Sequence, residues 1–175
     1  MISEFTLRPK ATNKRAQYLI AACLFGAAAF FVVYLAVEHY KGLVGLGTLA
    51  FITAAVFIYT KYVAREYYYD ILIANDTPLF VVRQLTGKRY STLCRIELRS
   101  IMKVERMSAT ERREHKTPEG FVKYNYMPTL GPETVYLITS ISRYEKAEIC
   151  IEANDEFAAL LTSYATEARE SYVED

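Results

Sequence analysis

Two long stretches of this chain carry no charge. From Ala16 to Val37 it reads AQYLIAACLFGAAAFFVVYLAV, and from Gly42 to Thr60 it reads GLVGLGTLAFITAAVFIYT. A helix that crosses the hydrocarbon core of a bilayer needs about 20 predominantly apolar residues, so the pattern predicts spans over about 16–37 and 42–62. A cleaved leader fits the first stretch poorly: its apolar run is too long, no small-residue cleavage site follows, and a second span comes at once. Only EHYK, residues 38–41, separates the two stretches. So short a link requires an antiparallel helical hairpin over 16–63, with a tail of residues 1–15 before it.

From residue 66 the period changes. In EYYYDILIA (66–74) Tyr67, Tyr69, Ile71 and Ile73 share one face and Asp70 takes the other, the period-two signature of a strand. NDTP (75–78) is turn chemistry, LFVVRQL (79–85) a second strand, and TGKR (86–89) a tight hairpin with Gly87 free to take positive φ. YSTLCRI (90–96) and SIMKVERM (100–107) make the third and fourth strands. After a charged stretch, 108–120, come FVKYNYM, TVYLITSI and AEICIE, which gives seven strands. The chain then switches to helical spacing. Asn154 is a good N-cap with Asp155 and Glu156 in the first turn, and Phe157, Leu160, Leu161, Tyr164 and Ala168 form one apolar stripe that must bury against the sheets.

Seven strands followed by one helix is the order of the pleckstrin-homology fold. The segment LFVVRQLTGKRYSTLCRIELRSIMKVE (79–105), with its Ile96, Leu98 and Ile101 step, resembles the centre of bacterial PH-like domains. A membrane hairpin directly before such a domain is similar to small bacterial membrane proteins of that group. The resemblance covers residues 16–172. It implies a membrane α-helical hairpin joined to an α+β PH-like domain (66–175), with seven antiparallel strands in a sandwich or partly open barrel capped by the C-terminal helix. It implies no particular activity.

Charge sets the orientation. Arg8, Lys10, Lys14 and Arg15 precede the first span and Lys61 and Arg65 follow the second, whereas the link offers only Lys41 beside Glu38. Positive residues stay cytoplasmic, so the reading is a multi-pass protein of the cell membrane with both termini and the 66–175 domain in the cytoplasm. Tyr18, Tyr40, Tyr59 and Tyr62 fall near the span ends, where a tyrosine ring sits at headgroup depth. The crowd of tyrosines in YTKYVAREYYYD is therefore a junction, an interfacial belt ending where a strand begins. The formal charge of +1 argues against a nucleic-acid partner. Three well-separated cysteines, Cys23, Cys94 and Cys150, fit a reducing compartment.

The chemistry of an enzyme is missing from the pattern. There is no P-loop, GxGxxG or GxSxG motif. His39 lies in the hairpin link, and His115 stands beside Glu111 and Glu114 in what reads as solvated loop charge. Cys150 has no nearby histidine to activate it. No cofactor, metal or catalytic residue is expected. The headgroup site of eukaryotic PH domains relies on basic residues in the first hairpin, but here that hairpin is NDTP and Arg83 stands alone. What remains is a diffuse basic surface: Lys88, Arg89, Arg112 and Arg113 fall by strand parity at the membrane-proximal end. With Lys14, Arg15, Lys61 and Arg65 they would meet anionic lipid without selecting a headgroup. Gly26, Gly42, Gly45 and Gly47 suit close helix packing, within the hairpin or against a partner or second copy. The functional expectation is a membrane-anchored binding or scaffolding module, with an accessory subunit of a transporter or enzyme complex as the alternative.

Overall fold

The computed structural model describes residues 2–9, 13–74 and 77–173. Contacts divide the chain into two compact units, one made of residues 11–65 and the other of 1–10 with 66–175. The helical unit holds α1 (Lys14–Ala36) and α2 (Lys41–Tyr62), both long and apolar enough to cross a membrane. Their pairing rests on small residues meeting aromatic ones. Phe30 lies where a Cβ on Gly47 would stand, 2.5 Å away, and Phe51 lies 3.0 Å from the Cβ position of Gly26. The Phe30 and Phe51 rings are themselves 5.5 Å apart. Close packing thus occurs within the pair, while Gly42 faces open space. The remaining surface of both helices is apolar and uncovered, from Leu24, Phe25 and Leu35 to Leu43, Leu46 and Phe57.

The second unit has eight strands rather than seven. β1 (Ile2–Leu7), β2 (Arg65–Ala74), β3 (Thr77–Thr86) and β4 (Arg89–Glu97) form one four-stranded sheet in that order. The additional strand comes from what the sequence pattern leaves as tail. It pairs antiparallel with β2, placing Phe5 opposite Ile71, Thr6 opposite Asp70 and Leu7 opposite Tyr69, with a bulge after Ser3. The helical pair is therefore inserted between two neighbouring strands of one sheet. Gly87 turns β3 into β4 with φ of +63°, a conformation that glycine adopts without strain. Asn75 and Asp76 of the expected NDTP turn lie outside the described residues, as does Lys10.

A one-turn 3-10 helix (Leu98–Ser100) leads to the second sheet: β5 (Ile101–Ser108), β6 (Val122–Asn125), β7 (Thr134–Ile141) and β8 (Lys146–Ile151), ordered β5-β7-β8-β6. β6 runs parallel to β8, a second departure from the all-antiparallel expectation. The charged stretch contains a short helix, α3 (Ala109–Glu114), opened by a capping box between Ser108 and Glu111.

Both sheets share one core with α4 (Asp155–Val173). Tyr69, Ile71, Phe80 and Val82 come from the first sheet, Ile138, Ile149 and Ile151 from the second, and Phe157, Leu161 and Ala165 from the helix. Asn154 caps α4 by accepting from the Phe157 amide at 3.0 Å. Phe157 and Leu161 are fully buried, with Leu160 and Tyr164 packed at the margin, which is the stripe the helical spacing indicates. Phe157 is the hub: its ring lies 5.7 Å from Phe5, 6.3 Å from Tyr69 and 6.4 Å from Phe80.

Candidate functional site

Strand direction gathers three features at one end of the first sheet. These are the Leu7 end of β1, the beginning of β2, and the Gly87–Lys88 turn between β3 and β4. Lys88 and Arg89 lie there, exposed. Beside them the outer face of the sheet carries a ladder of alternating cations and rings. Arg8 pairs with Glu66 at 2.8 Å and stands over the Tyr68 ring at 5.8 Å. Tyr68 meets Tyr90 edge-on at 5.7 Å, and the Arg83 guanidinium lies 5.6 Å over Tyr90.

The ladder ends on Asp70, whose side chain is fully buried. Arg83 donates to it from Nε at 2.5 Å and Nη2 at 2.8 Å, and Thr6 Oγ1 donates at 2.7 Å. Arg83 is the only basic residue on β3 and is committed to this carboxylate, and its hydrogen bond to Asp70 raises its pKa further above the usual guanidinium value. A buried carboxylate is tolerated because a bidentate cation and a hydroxyl saturate it. On Tyr68, desolvation and then the hydrogen bond its hydroxyl donates to Glu66 raise the phenol.

The other expected basic residues occupy separate places. Arg112 and Arg113 sit on α3, at the end of β5 remote from the 3-10 turn, as Lys88 and Arg89 sit at the end of β4 remote from it. Arg113 is exposed, while Arg112 is half-buried with Nη1 3.4 Å from Met127 Sδ. In the helical unit Lys14 and Arg15 open α1, and Lys61 lies in the last turn of α2 over the rings of Phe57 (5.7 Å) and Tyr62 (5.4 Å). Arg65 begins β2. Tyr18 and Tyr59 are exposed near that end of the helical pair, and Tyr40 is exposed at the opposite turn.

A second polar site lies on the outer face of the other sheet. His115 is not solvated loop charge. The segment after α3 brings its Nε2 to 2.9 Å and 3.0 Å from the two oxygens of Glu148 on β8, a carboxylate that is almost wholly buried. Cys150, two residues along the strand, is buried too, and desolvation raises its thiol above the usual range. It is held as a thiol, the poor-nucleophile form. Nearby, Glu152 accepts from the Thr129 amide at 3.2 Å and hydroxyl at 2.9 Å, yet burial still raises its carboxyl. Deep in the core the Tyr69 hydroxyl donates to the Tyr126 carbonyl at 2.7 Å, and burial drives its pKa upward. Among the described residues no group of three or more His, Cys, Asp and Glu is placed to hold a metal ion.

Such an arrangement can tie segments together and present charge at a sheet end. Sequence reasoning misses the Asp70–Arg83–Thr6 set and the His115–Glu148 pair because each joins distant residues. The one visible sign was an acid at an alternating position of a strand, Asp70 among tyrosines and Glu148 among isoleucines. No protein-family model matches this sequence, and no curated protein matches it.

Proposed function

We propose that this chain is a membrane-anchored binding or scaffolding module. Two helices cross the cytoplasmic membrane, and a PH-like domain carries the binding surface on the cytoplasmic side. The observation that carries this reading is the pairing of β1 with β2 around the helical pair. Strands on either side of the insertion can pair only if both lie on one side of a bilayer, which an even number of crossings provides. The uncovered apolar surface of α1 and α2 adds support. In water it would far exceed the apolar patches that soluble monomers tolerate, whereas in lipid it is matched. The charge of Arg8, Lys14, Arg15, Lys61 and Arg65 against the single Lys41 supports the cytoplasmic orientation. Lys88 and Arg89, at the sheet end where β2 begins, would then meet anionic headgroups, each such charge contributing about 1 kcal/mol near the surface.

The test is accessibility in intact cells, with Cys23, Cys94 and Cys150 replaced by serine. A membrane-impermeant thiol reagent should label Lys41→Cys from outside and leave Glu119→Cys unlabelled until the cells are opened. Labelling of Glu119→Cys from outside would overturn the orientation, and labelling of neither site after lysis would overturn the exposure of both.

A further inference from the structure

We propose that the flank of β2 is a strand-binding site and that β1 is its tethered ligand. β2, β3 and β4 follow one another through links of two residues each, so their pairing is local, whereas 57 residues separate Leu7 from Arg65. β1 is also the outermost strand and only six residues long. Its contribution is thus that of a short peptide laid along a sheet edge, where the backbone supplies affinity and alternate side chains supply selectivity.

The side chains that do the selecting alternate. Phe5 reaches inward to the Phe157 ring at 5.7 Å, and Leu7 packs against the same core. Thr6 and Arg8 point outward, Thr6 to the buried Asp70 carboxylate and Arg8 to Glu66 and the Tyr68 ring. The site therefore takes an extended segment with an aromatic residue, a hydroxyl, an aliphatic residue and an arginine in succession. Asp70 gives the hydroxyl position its specificity, since a buried carboxylate oxygen that loses a donor is not resolvated. The antiparallel pair of α1 and α2 brings the two ends of this long insertion back together, which keeps the ligand tethered at a high effective concentration. A strand of the same pattern, first of all β1 of a second copy, is the competitor the site accepts once the native strand lifts away.

A protease site placed between Pro9 and Asn13 of the full chain, held in lipid nanodiscs, tests the proposal without removing any strand. After cleavage, a fluorescent peptide of residues 2–9 should exchange into the protein, seen as a saturable rise in anisotropy. Uncut protein should take up at least about tenfold less, because its tethered strand competes. Peptides carrying Phe5→Ala or Thr6→Val should bind at least about tenfold more weakly, since each loses a partly buried ring contact or a hydrogen bond to a charged group. Equal uptake by cut and uncut protein would place the peptide elsewhere and overturn the proposal. So would indifference to both substitutions, or failure of the cleaved strand to exchange while the protein stays folded. Unfolding on cleavage that the peptide cannot reverse would show β1 to be an inseparable part of the core, and would overturn it equally.

Discussion

Phe157 joins three elements that are far apart in sequence, and its removal gives the sharpest measure of how the second unit is held together. Truncating a fully buried phenylalanine to alanine costs about 3–5 kcal/mol, the transfer free energy plus the cavity left behind. At a urea dependence of about 2 kcal/mol per molar, Phe157→Ala should lower the unfolding midpoint by roughly 1.5–2.5 M. The informative quantity is the coupling with Phe5, whose ring stands 5.7 Å away. An aromatic pair contributes about 0.5–1.5 kcal/mol beyond its buried area, so the double variant Phe5→Ala/Phe157→Ala should be less destabilised than the sum of the singles by about that amount. The measurement is urea denaturation followed by tyrosine fluorescence. It uses a soluble version in which residues 10–64 are replaced by a short Gly-Ser turn between β1 and β2. Additivity within about 0.3 kcal/mol, the usual error for independent sites, would refute the packing of β1 against α4.

Other expectations follow from the polar and helical contacts. Asp70→Ala should cost about 1–3 kcal/mol, since Thr6 and Arg83 lose their acceptor while the partly exposed Arg83 keeps some water, and Asp70→Leu with Arg83→Met should cost less because no unpaired charge remains; urea midpoints separate the two. Gly47→Val should weaken α1–α2 pairing by about 1–3 kcal/mol through collision with Phe30, and Gly42→Val should be neutral, both read by proximity cross-linking between the helices. The raised carboxyl of Glu152 fixes a sign for pH. The folded state holds this proton more tightly than the unfolded one, so this group's contribution to stability falls as pH rises from the ordinary glutamate range through the folded value. Glu152→Gln should remove that slope, and an unchanged pH profile would show the group is not desolvated.

Much of this architecture is written locally. Charge-free runs over 16–37 and 42–60 are long enough to mark two apolar helices by length and composition, and the alternation of 66–74 and the three- and four-residue spacing after Asn154 follow from backbone geometry. What escaped was non-local. ISEFTL alternates poorly because a bulge interrupts it, and its partner strand comes only after the helical insertion, so no window of sequence contains the pair. β6 is four residues long and bonds to β8 in parallel, a relation that no hairpin signal announces. The Ser108–Glu111 capping box was visible, but a six-residue helix leaves no apolar period. His115 looked solvated because its neighbours are Glu111 and Glu114, whereas the carboxylate that holds it is 33 residues away.

The insertion of the helices between β1 and β2 also sets an order of assembly. Synthesis runs at about 5–20 residues per second, so roughly 3–11 s pass between the emergence of Leu7 and that of Arg65. During that interval the first strand has no edge to join, and both apolar helices are made. By the time β2, β3 and β4 can fold, the two ends of the insertion have already been delivered to the same place. Pairing of the two helices can thus precede completion of the sheet. A defect in the helical pair such as Gly47→Val would show itself twice, first as weakened pairing of α1 with α2 and later as a sheet left with an unpaired edge.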